Sequence, residues 1–428
     1  MAALQRAARL LGLLSLIGGM SSGCSLPSPW ASPSMPRVLR VAKSSTDPGS
    51  LNVEEAVRDR RVVKDVQGLL QEFDPGLRLH PTAFSEATLV RAIARQTSSG
   101  LGPDLIITNG NTSLALLEQQ LTTPIPLEAD TRSQISPLAL QRVTTPAGAI
   151  AGVPVSQYVQ LACYDKRRLA DPPTTLAELA SASGQGKVFG FAMHLEDLYW
   201  TLGGFQATPA LQTALDAQPP SREDRHRLKA WLTWLQTASF QQNVLFLNNQ
   251  MALRDQLVKG KLDWITCWSS QLPHLRTALK SHLGITTLPG GPLGQATPIT
   301  RLQVWALGRN SSARQRRESL RLLKFMVEPW AQKTLSLKYR TSFPVNPQVA
   351  PIVKRQLAGE RQIAAERLEL GLTDQDSTRH ANALLAALGS DPERLTRVNS
   401  ILNGVVFGTL PPSQATQALL DAISGEQP

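Results

Sequence analysis

Gly102-Pro-Asp-Leu-Ile-Ile-Thr108 sets three consecutive apolar residues, Leu105, Ile106 and Ile107, after a glycine-ended helix and directly before Asn109-Gly-Asn111. A run with no polar alternation suits a strand buried on both faces, the condition of a parallel sheet covered by helices. Upstream, Leu89 to Ile93 lies in a helix that Gly100 and Gly102 end, and Leu77-Arg-Leu79 begins another strand. Before that, Val62, Val66, Leu69, Leu70 and Phe73 recur at helical spacing until Asp74-Pro-Gly76, and Val38-Leu-Arg-Val-Ala42 opens the pattern. Three strands alternating with two helices define a doubly wound α/β sheet. Downstream the same grammar returns. Val188 to Ala192 reads as a strand followed by a helix through Trp200, Leu228 to Leu235 as a helix, and Leu262 to Cys267 and Leu302 to Leu307 as strands. From Ser319 onward the pattern is mostly helical, and no internal repeat or low-complexity segment occurs.

The 428 residues exceed the usual reach of one hydrophobic core, so two lobes are expected. Residues 1–24 read as a targeting segment: Arg6 and Arg9 flank the apolar run Leu10 to Met20, and Ser21-Ser-Gly-Cys24 follows. That ending resembles a bacterial lipoprotein signal, in which Cys24 is acylated, although Ser21 stands where such signals usually have Leu; a plain cleaved signal peptide is the alternative. Residues 25–37, rich in Pro and Ser, read as a tether. Cys163 and Cys267 lie far apart in sequence within apolar strand-like runs, and are expected to be buried free thiols rather than a disulfide. A formal net charge of +11 raises the question of nucleic acid, but the charges are scattered and no basic run interleaved with aromatics occurs. The densest basic stretch, Arg314 to Lys324, belongs to an amphipathic helix expected to turn Leu320, Leu323, Phe325 and Met326 inward. Nucleic acid is therefore not an expected partner.

Catalytic signatures are missing. The six histidines, at 80, 194, 226, 274, 282 and 380, show no metal-ligand spacing. No Gly-x-Ser-x-Gly elbow occurs, and Gly184-Gln-Gly-Lys187 lacks the upstream Gly and the following Ser or Thr of a phosphate loop. Glu196 and Asp197 are adjacent and point apart, a poor pair for glycoside hydrolysis, which needs carboxylates on opposite sides of one bond. Neither an enzyme nor a cofactor is expected.

In order, several segments resemble the extracellular solute-binding proteins of ABC importers, the family that includes maltose-binding proteins. They are Val66 to Leu79 with "QEFDPGLRL", Gly102 to Thr108, Val153 to Lys166, Pro172 to Leu179, Leu257 to Thr266, and "LLKFMVEPWAQKTLS" leading to "FPVN" within Leu320 to Asn346. Each is weak alone; their order and spacing over residues 38 to about 424 carry the resemblance. It implies the type II periplasmic-binding-protein fold, two α/β lobes joined by crossing hinge segments, with a helical C-terminal region. Lobe one would be 38–158 plus 303–340 and lobe two 159–302 plus 341–428, with crossings near Tyr158, Gln303 and Thr341. Solute would lie between the lobes and be enclosed by hinge closure.

Candidate ligand residues follow from that placement, at strand ends facing the crevice. Lobe one offers Phe84 and Ser85 after the second strand and Asn109 and Asn111 after the third, where hydroxyl recognition and a plain turn are equal readings. At the first crossing Ser156, Tyr158 and Gln160 alternate with apolar residues, so they line the crevice or form an ordinary exposed face. Lobe two offers Glu196, Tyr199 and Trp200, with first-turn charges and core packing as alternatives, and Trp268 as a stacking platform, although relatives often place a Trp nearer Ser270. Arg301 and Gln303 stand where relatives often have Gly-Gly and an aromatic residue, and Arg340 is a further candidate. The implied partners are a sugar-like small molecule, a small carbohydrate or glycosylated polyol, and the ABC permease. The membrane is reached through the lipid anchor, at the periplasmic face of the cell membrane, or the protein is soluble in the periplasm; a monomer is expected. A sensor or cell-envelope scaffold with the same crevice is the alternative.

Overall fold

The computed structural model describes residues 37–44, 53–71, 74–339, 343–356, 376–389 and 391–425. The targeting segment, Cys24, the tether up to Pro36, Phe73, Arg340 and Thr341 lie outside the described residues. Among the described residues no helix is long and apolar enough to cross a membrane.

The first half follows the expected alternation: β1 (Arg37–Ser44), α1 (Val53–Leu70), β2 (Leu77–Phe84), α2 (Glu86–Ser98), β3 (Leu105–Thr108) and α3 (Gly110–Glu118). β1 runs parallel to both β2 and β3. The unbroken apolar run is explained by two-sided burial: Leu105 and Ile107 enter one cluster with Leu39 and Val41, whereas Ile106 enters another with Ala42, Leu89 and Ile93. β4 (Thr122–Thr123), α4 (Ala129–Ser133) and α5 (Pro137–Gln141) then lead to β5 (Val153–Asp165).

β5 is the spine of the molecule. Its first half pairs antiparallel with β10 (Thr300–Gly308) on one side and β11 (Phe343–Pro344) on the other; its second half pairs with β8 (Trp264–Trp268) and β9 (Leu283–Thr286). The sheet therefore runs β2-β1-β3-β10-β5-β8-β6-β7, where β6 is Phe189–Ala192 and β7 is Val244–Leu247. The apolar clusters divide along the same strand. Val153 and Val155 pack with the β1–β3 half, whereas Val159, Leu161 and Cys163 pack with Leu253, Leu257 and Ile265. Three chain passages, β5, β10 and β11, lie side by side at Ser156 and Gln157.

Around the second half sit α6 (Leu176–Gly184), α7 (Leu195–Leu198), α8 (Trp200–Gly203), α9 (Thr208–Leu215), α10 (Arg222–Ser239), α11 (Gln250–Val258) and α12 (Leu272–Leu279). After β10 come α13 (Ala313–Val327) and α14 (Pro329–Tyr339), and after β11 come α15 (Ala350–Gln356), α16 (Asp376–Gly389), α17 (Pro392–Val406) and α18 (Pro412–Ser424). α13 carries the basic stretch. Its Leu323 and Met326 are buried with Leu322 and Val327, while Leu320 and Phe325 are partly buried against the same cluster. Helices α16 to α18 return to the second half, where Leu384, Leu402 and Leu419 join Trp200, Trp231 and Trp264 in the largest cluster.

One expectation is overturned. Cys163 and Cys267 form a disulfide with Cα atoms 5.9 Å apart, across a sequence separation of 104 residues. They are far apart in sequence but sit on adjacent antiparallel strands, where Cys163 faces Ile265 and Cys267 faces Leu161. That two-residue diagonal lets both side chains meet on one face of the sheet.

Candidate functional site

Where β5 and β10 pair, core residues such as Val153, Val155, Leu302 and Val304 are followed by a run of polar side chains. Gln303 opposes Ser156 and Arg301 opposes Tyr158 across the ladder. The register slips between Gln303 and Val304, and the Val155 carbonyl there accepts a hydrogen bond from Gln332 Nε2 of α14 at 2.7 Å. Beyond that bulge, Ser156 Oγ donates to Gln303 Oε1 at 3.3 Å and Gln303 Nε2 donates to the Tyr158 hydroxyl at 2.9 Å. Gln160 Nε2 donates to the carbonyls of Glu196 and Asp197, while its Oε1 accepts from the Ile299 amide. Ser156, Tyr158 and Gln160 therefore do not form an exposed face: they are 7%, 8% and 1% exposed and each has an internal partner.

Arg301 is the centre of this cluster. Only 5% exposed, it donates from Nε and Nη2 to the two carboxylate oxygens of Glu196 at 2.7 and 2.8 Å. Its guanidinium carbon lies 4.2 Å from the centroid of the Trp268 ring. Such a fork-to-fork pair over an aromatic face is a geometry that a lysine cannot reproduce. Beneath it, Asp197 Oδ1 accepts from Trp268 Nε1 at 3.0 Å and from Gln250 Nε2 at 3.1 Å, and lies 3.8 Å from Arg301 Nη2. Asp197 Oδ2 is buried with no hydrogen-bond partner among the described residues.

The two neighbouring carboxyls respond oppositely. Burial works to raise Glu196, but the Arg301 guanidinium, helped by Arg142 and His194, outweighs it and holds this carboxyl below its usual range. Burial pushes the Asp197 carboxyl up, against the pull of Arg301, and the Glu196 charge adds to the rise. Arg142, in the turn after α5, donates to the side-chain oxygen and the carbonyl of Thr300. Burial lowers its pKa to about 10, partly countered by the field of Glu196.

The remaining candidates divide. Asn109 caps α3, its side chain accepting from the Thr112 amide at 2.8 Å, and Asn111 Nδ2 donates to the Leu385 carbonyl of α16 at 3.2 Å. Ser85 precedes α2 with its hydroxyl 2.6 Å from that of Thr88, and Phe84 packs partly buried against the Leu89 cluster. Tyr199 and Trp200 are 1% and 0% exposed; Trp200 stacks on Phe191 with centroids 6.1 Å apart. Arg340 lies outside the described residues. Sequence reasoning missed Arg142, Asp197 as a buried acceptor, and the strand ends Ser44 and Thr108, whose hydroxyls lie 3.1 Å apart and buried. Position at the C-terminal ends of parallel strands could have flagged the last two; nothing local marks Arg142. Among the described residues no group of three or more His, Cys, Asp or Glu is placed to hold a metal ion.

The architecture, two sheet halves sharing β5 with a polar cluster where the chain passes between them, is that of the two-lobed periplasmic binding proteins. The chain belongs to the bacterial extracellular solute-binding protein family, whose profile it matches over residues 72–360. Among solved structures it resembles the GacH receptor of Streptomyces glaucescens, determined unliganded and with acarbose, at 12% identity and a TM-score of 0.64, covering 91% of this chain and 100% of that one. Maltose-bound MalE3 of T. maritima aligns at 14% identity and a TM-score of 0.64, covering 91% and 99%. The maltose-maltodextrin binding protein of Alicyclobacillus acidocaldarius aligns at 16% identity and 0.65, covering 90% and 100%. No curated protein matches the sequence. The family and these neighbours are binding proteins, not enzymes.

Proposed function

We propose that this protein is the solute-capturing component of an ABC importer, binding a neutral, hydroxyl-rich molecule such as a small carbohydrate or glycosylated polyol and delivering it to a permease. The observation that carries the reading is the Arg301–Glu196 pair over Trp268 at the chain passages. Arg301 is neutralised from within by Glu196, so this pair offers no open cation to draw an anionic solute. The Glu196 side chain is 33% exposed and keeps acceptor capacity for hydroxyl groups. The structural neighbours determined with maltose or acarbose support the carbohydrate class.

In this reading the lobes are 38–158 plus 303–340 and 159–302 plus 341–428, and the solute bridges them near Ser156, Tyr158, Gln160, Glu196, Arg301 and Gln303. The division of the apolar clusters on either side of β5 supports it. Closure is driven only by contacts the solute makes better in the closed state than in the open one. The protein acts as a monomer at the periplasmic face of the membrane, held there by acylated Cys24. A disulfide in the second lobe fits an oxidising compartment.

The test is calorimetric titration of the full chain with mono- and disaccharides, glycosylated polyols, amino acids and phosphorylated sugars. A neutral sugar or polyol binds at micromolar concentration or tighter, and Glu196→Gln weakens it at least tenfold. Saturable binding of amino acids or anions alone overturns the substrate class.

A further inference from the structure

The basic stretch of α13 takes no part in the crossing cluster. One face of the helix, Leu322, Leu323, Met326 and Val327, is buried in the core of the first half. On the other, Arg314, Arg317, Arg321 and Lys324, spaced by three, four and three residues, form an exposed stripe. Glu318 is the only acid in the helix, and it accepts a hydrogen bond from Arg37 Nη1 at 2.8 Å. Arg321 lies 3.4 Å from Asp74 and Lys324 3.3 Å from Glu128, but the two cationic side chains keep 67% and 49% exposure. Ion pairs so open to water hold little, so the stripe stays positive and accessible.

Two observations beside the stripe point to what it meets. Trp330, in the first turn of α14, is 44% exposed, with its ring 6.1 Å from that of Phe325, which follows Arg321 by one helical turn. Lys333, three residues further along α14, is exposed as well. An exposed indole beside cations suits a bilayer surface, where the ring sits at headgroup level and the cations meet phosphates. The second observation is where the chain enters the fold. Arg37 opens β1 and bonds Glu318 in the middle of α13, so the segment from Cys24 joins the fold beside this helix. Residues 25–36 separate Cys24 from Arg37, and at about 3.5 Å per residue an anchor on Cys24 lies no more than about 45 Å from that junction.

We propose that the exposed face of α13, together with Trp330, docks on the anionic phospholipid surface to which the tether leads. The inference rests on the membrane placement proposed above, not on the solute. Each cation near such a surface adds attraction that fades within a Debye length, so the stripe acts only once the anchor has brought it close. A tether alone leaves the protein free to turn any side to the bilayer; the stripe selects one.

The experiment is cosedimentation with vesicles of the chain from residue 24 onward, carrying Cys24→Ser and every described element. Vesicles of phosphatidylglycerol mixed with phosphatidylcholine bind it at least tenfold more tightly than phosphatidylcholine alone, and high salt removes the difference. Arg314→Gln, Arg317→Gln and Arg321→Gln together weaken that binding at least tenfold, and Trp330→Ala weakens it severalfold. Lys229→Gln, Lys259→Gln and Lys261→Gln, the same charge change at exposed sites of the second half, leave it within about twofold. Circular dichroism of all variants stays as in the parent. Equal binding to neutral and anionic vesicles, an unchanged α13 variant, or an equal loss in the second-half variant overturns the proposal. Displacement of the protein from the vesicles by a short DNA duplex at lower phosphate concentration would assign the face to nucleic acid and also overturns it. No carbohydrate enters these measurements and α13 holds no residue of the crossing cluster, so failure here is told apart from failure of the importer reading.

Discussion

Arg301 carries a guanidinium to a place that is 5% exposed, where Glu196 meets it with both carboxylate oxygens. Removing one partner of a buried pair costs about 3–5 kcal/mol. Because Glu196 retains 33% exposure, water screens part of that loss, and Arg301→Ala is expected to lower stability by about 2–3 kcal/mol in urea titration. Arg301→Lys recovers less than half, since an ammonium cannot bond both oxygens. The acid limb of stability separates the two carboxyls. Glu196, held below its unfolded value of about 4.3, contributes stability above that pH and loses it as pH falls through the depressed value. Asp197, raised above its unfolded value of about 3.9, has the opposite sign: its contribution is present below that pH and lost as pH rises through the folded value. Glu196→Gln should therefore flatten the acid limb. Asp197→Asn, which keeps the acceptor for Trp268 and Gln250, should raise the urea midpoint near neutrality and steepen the limb; no change in either profile would contradict the assignment. The sequence made Glu196 and Asp197 look alike, two acids opening a helix. Which one turns to Arg301 and which lies under Trp268 depends on the pairing of β5 with β8 and β10, a contact no local pattern encodes.

Among elements, the pairing of β5 with β8 has the clearest consequence. The disulfide closes a loop with a sequence separation of 104 residues, and its removal is expected to cost about 2–4 kcal/mol. Cys163→Ala with Cys267→Ala should lower the urea midpoint by a corresponding amount, and reducing agent should act on the parent but not on the double variant. The strands themselves were legible: β1, β3, β6, β8 and β10 all fall where apolar runs lie between turn residues. β7 and β9 were not. Each is four residues long, Val244–Leu247 and Leu283–Thr286, as β3 and β6 are. But β3 and β6 follow glycines that end the preceding helix, Gly100 and Gly102 or Gly184 and Gly186, whereas β7 and β9 have no such stop before them. A short apolar run alone does not separate a strand from a helix end. The thiol expectation failed for a related reason, since sequence distance says nothing about which strands become neighbours. α16 allows a further check: Asn382→Leu replaces an unpaired buried amide by an apolar side chain and should raise stability by about 1 kcal/mol or more.

For the whole molecule, the apolar clusters divide along β5, and the place where β5, β10 and β11 lie side by side carries both core residues and the polar cluster. The order of motifs from residue 38 onward carried the fold, because each weak segment marks a helix end or strand start at the spacing of one family. The crevice was less legible: Tyr199, Trp200 and Asn109 fit a ligand by chemistry, yet the structure uses them as core and cap. Residues with ligand chemistry also satisfy buried polar atoms, and only the finished packing separates the two uses. The central claim is that two lobes close on a solute at the Arg301–Glu196 cluster. Small-angle scattering of the full chain, with and without a saturating carbohydrate identified by titration, tests it most directly. A smaller radius of gyration in the parent, lost in Glu196→Gln at the same ligand concentration, is the predicted result, and superimposable parent profiles under saturation would contradict it.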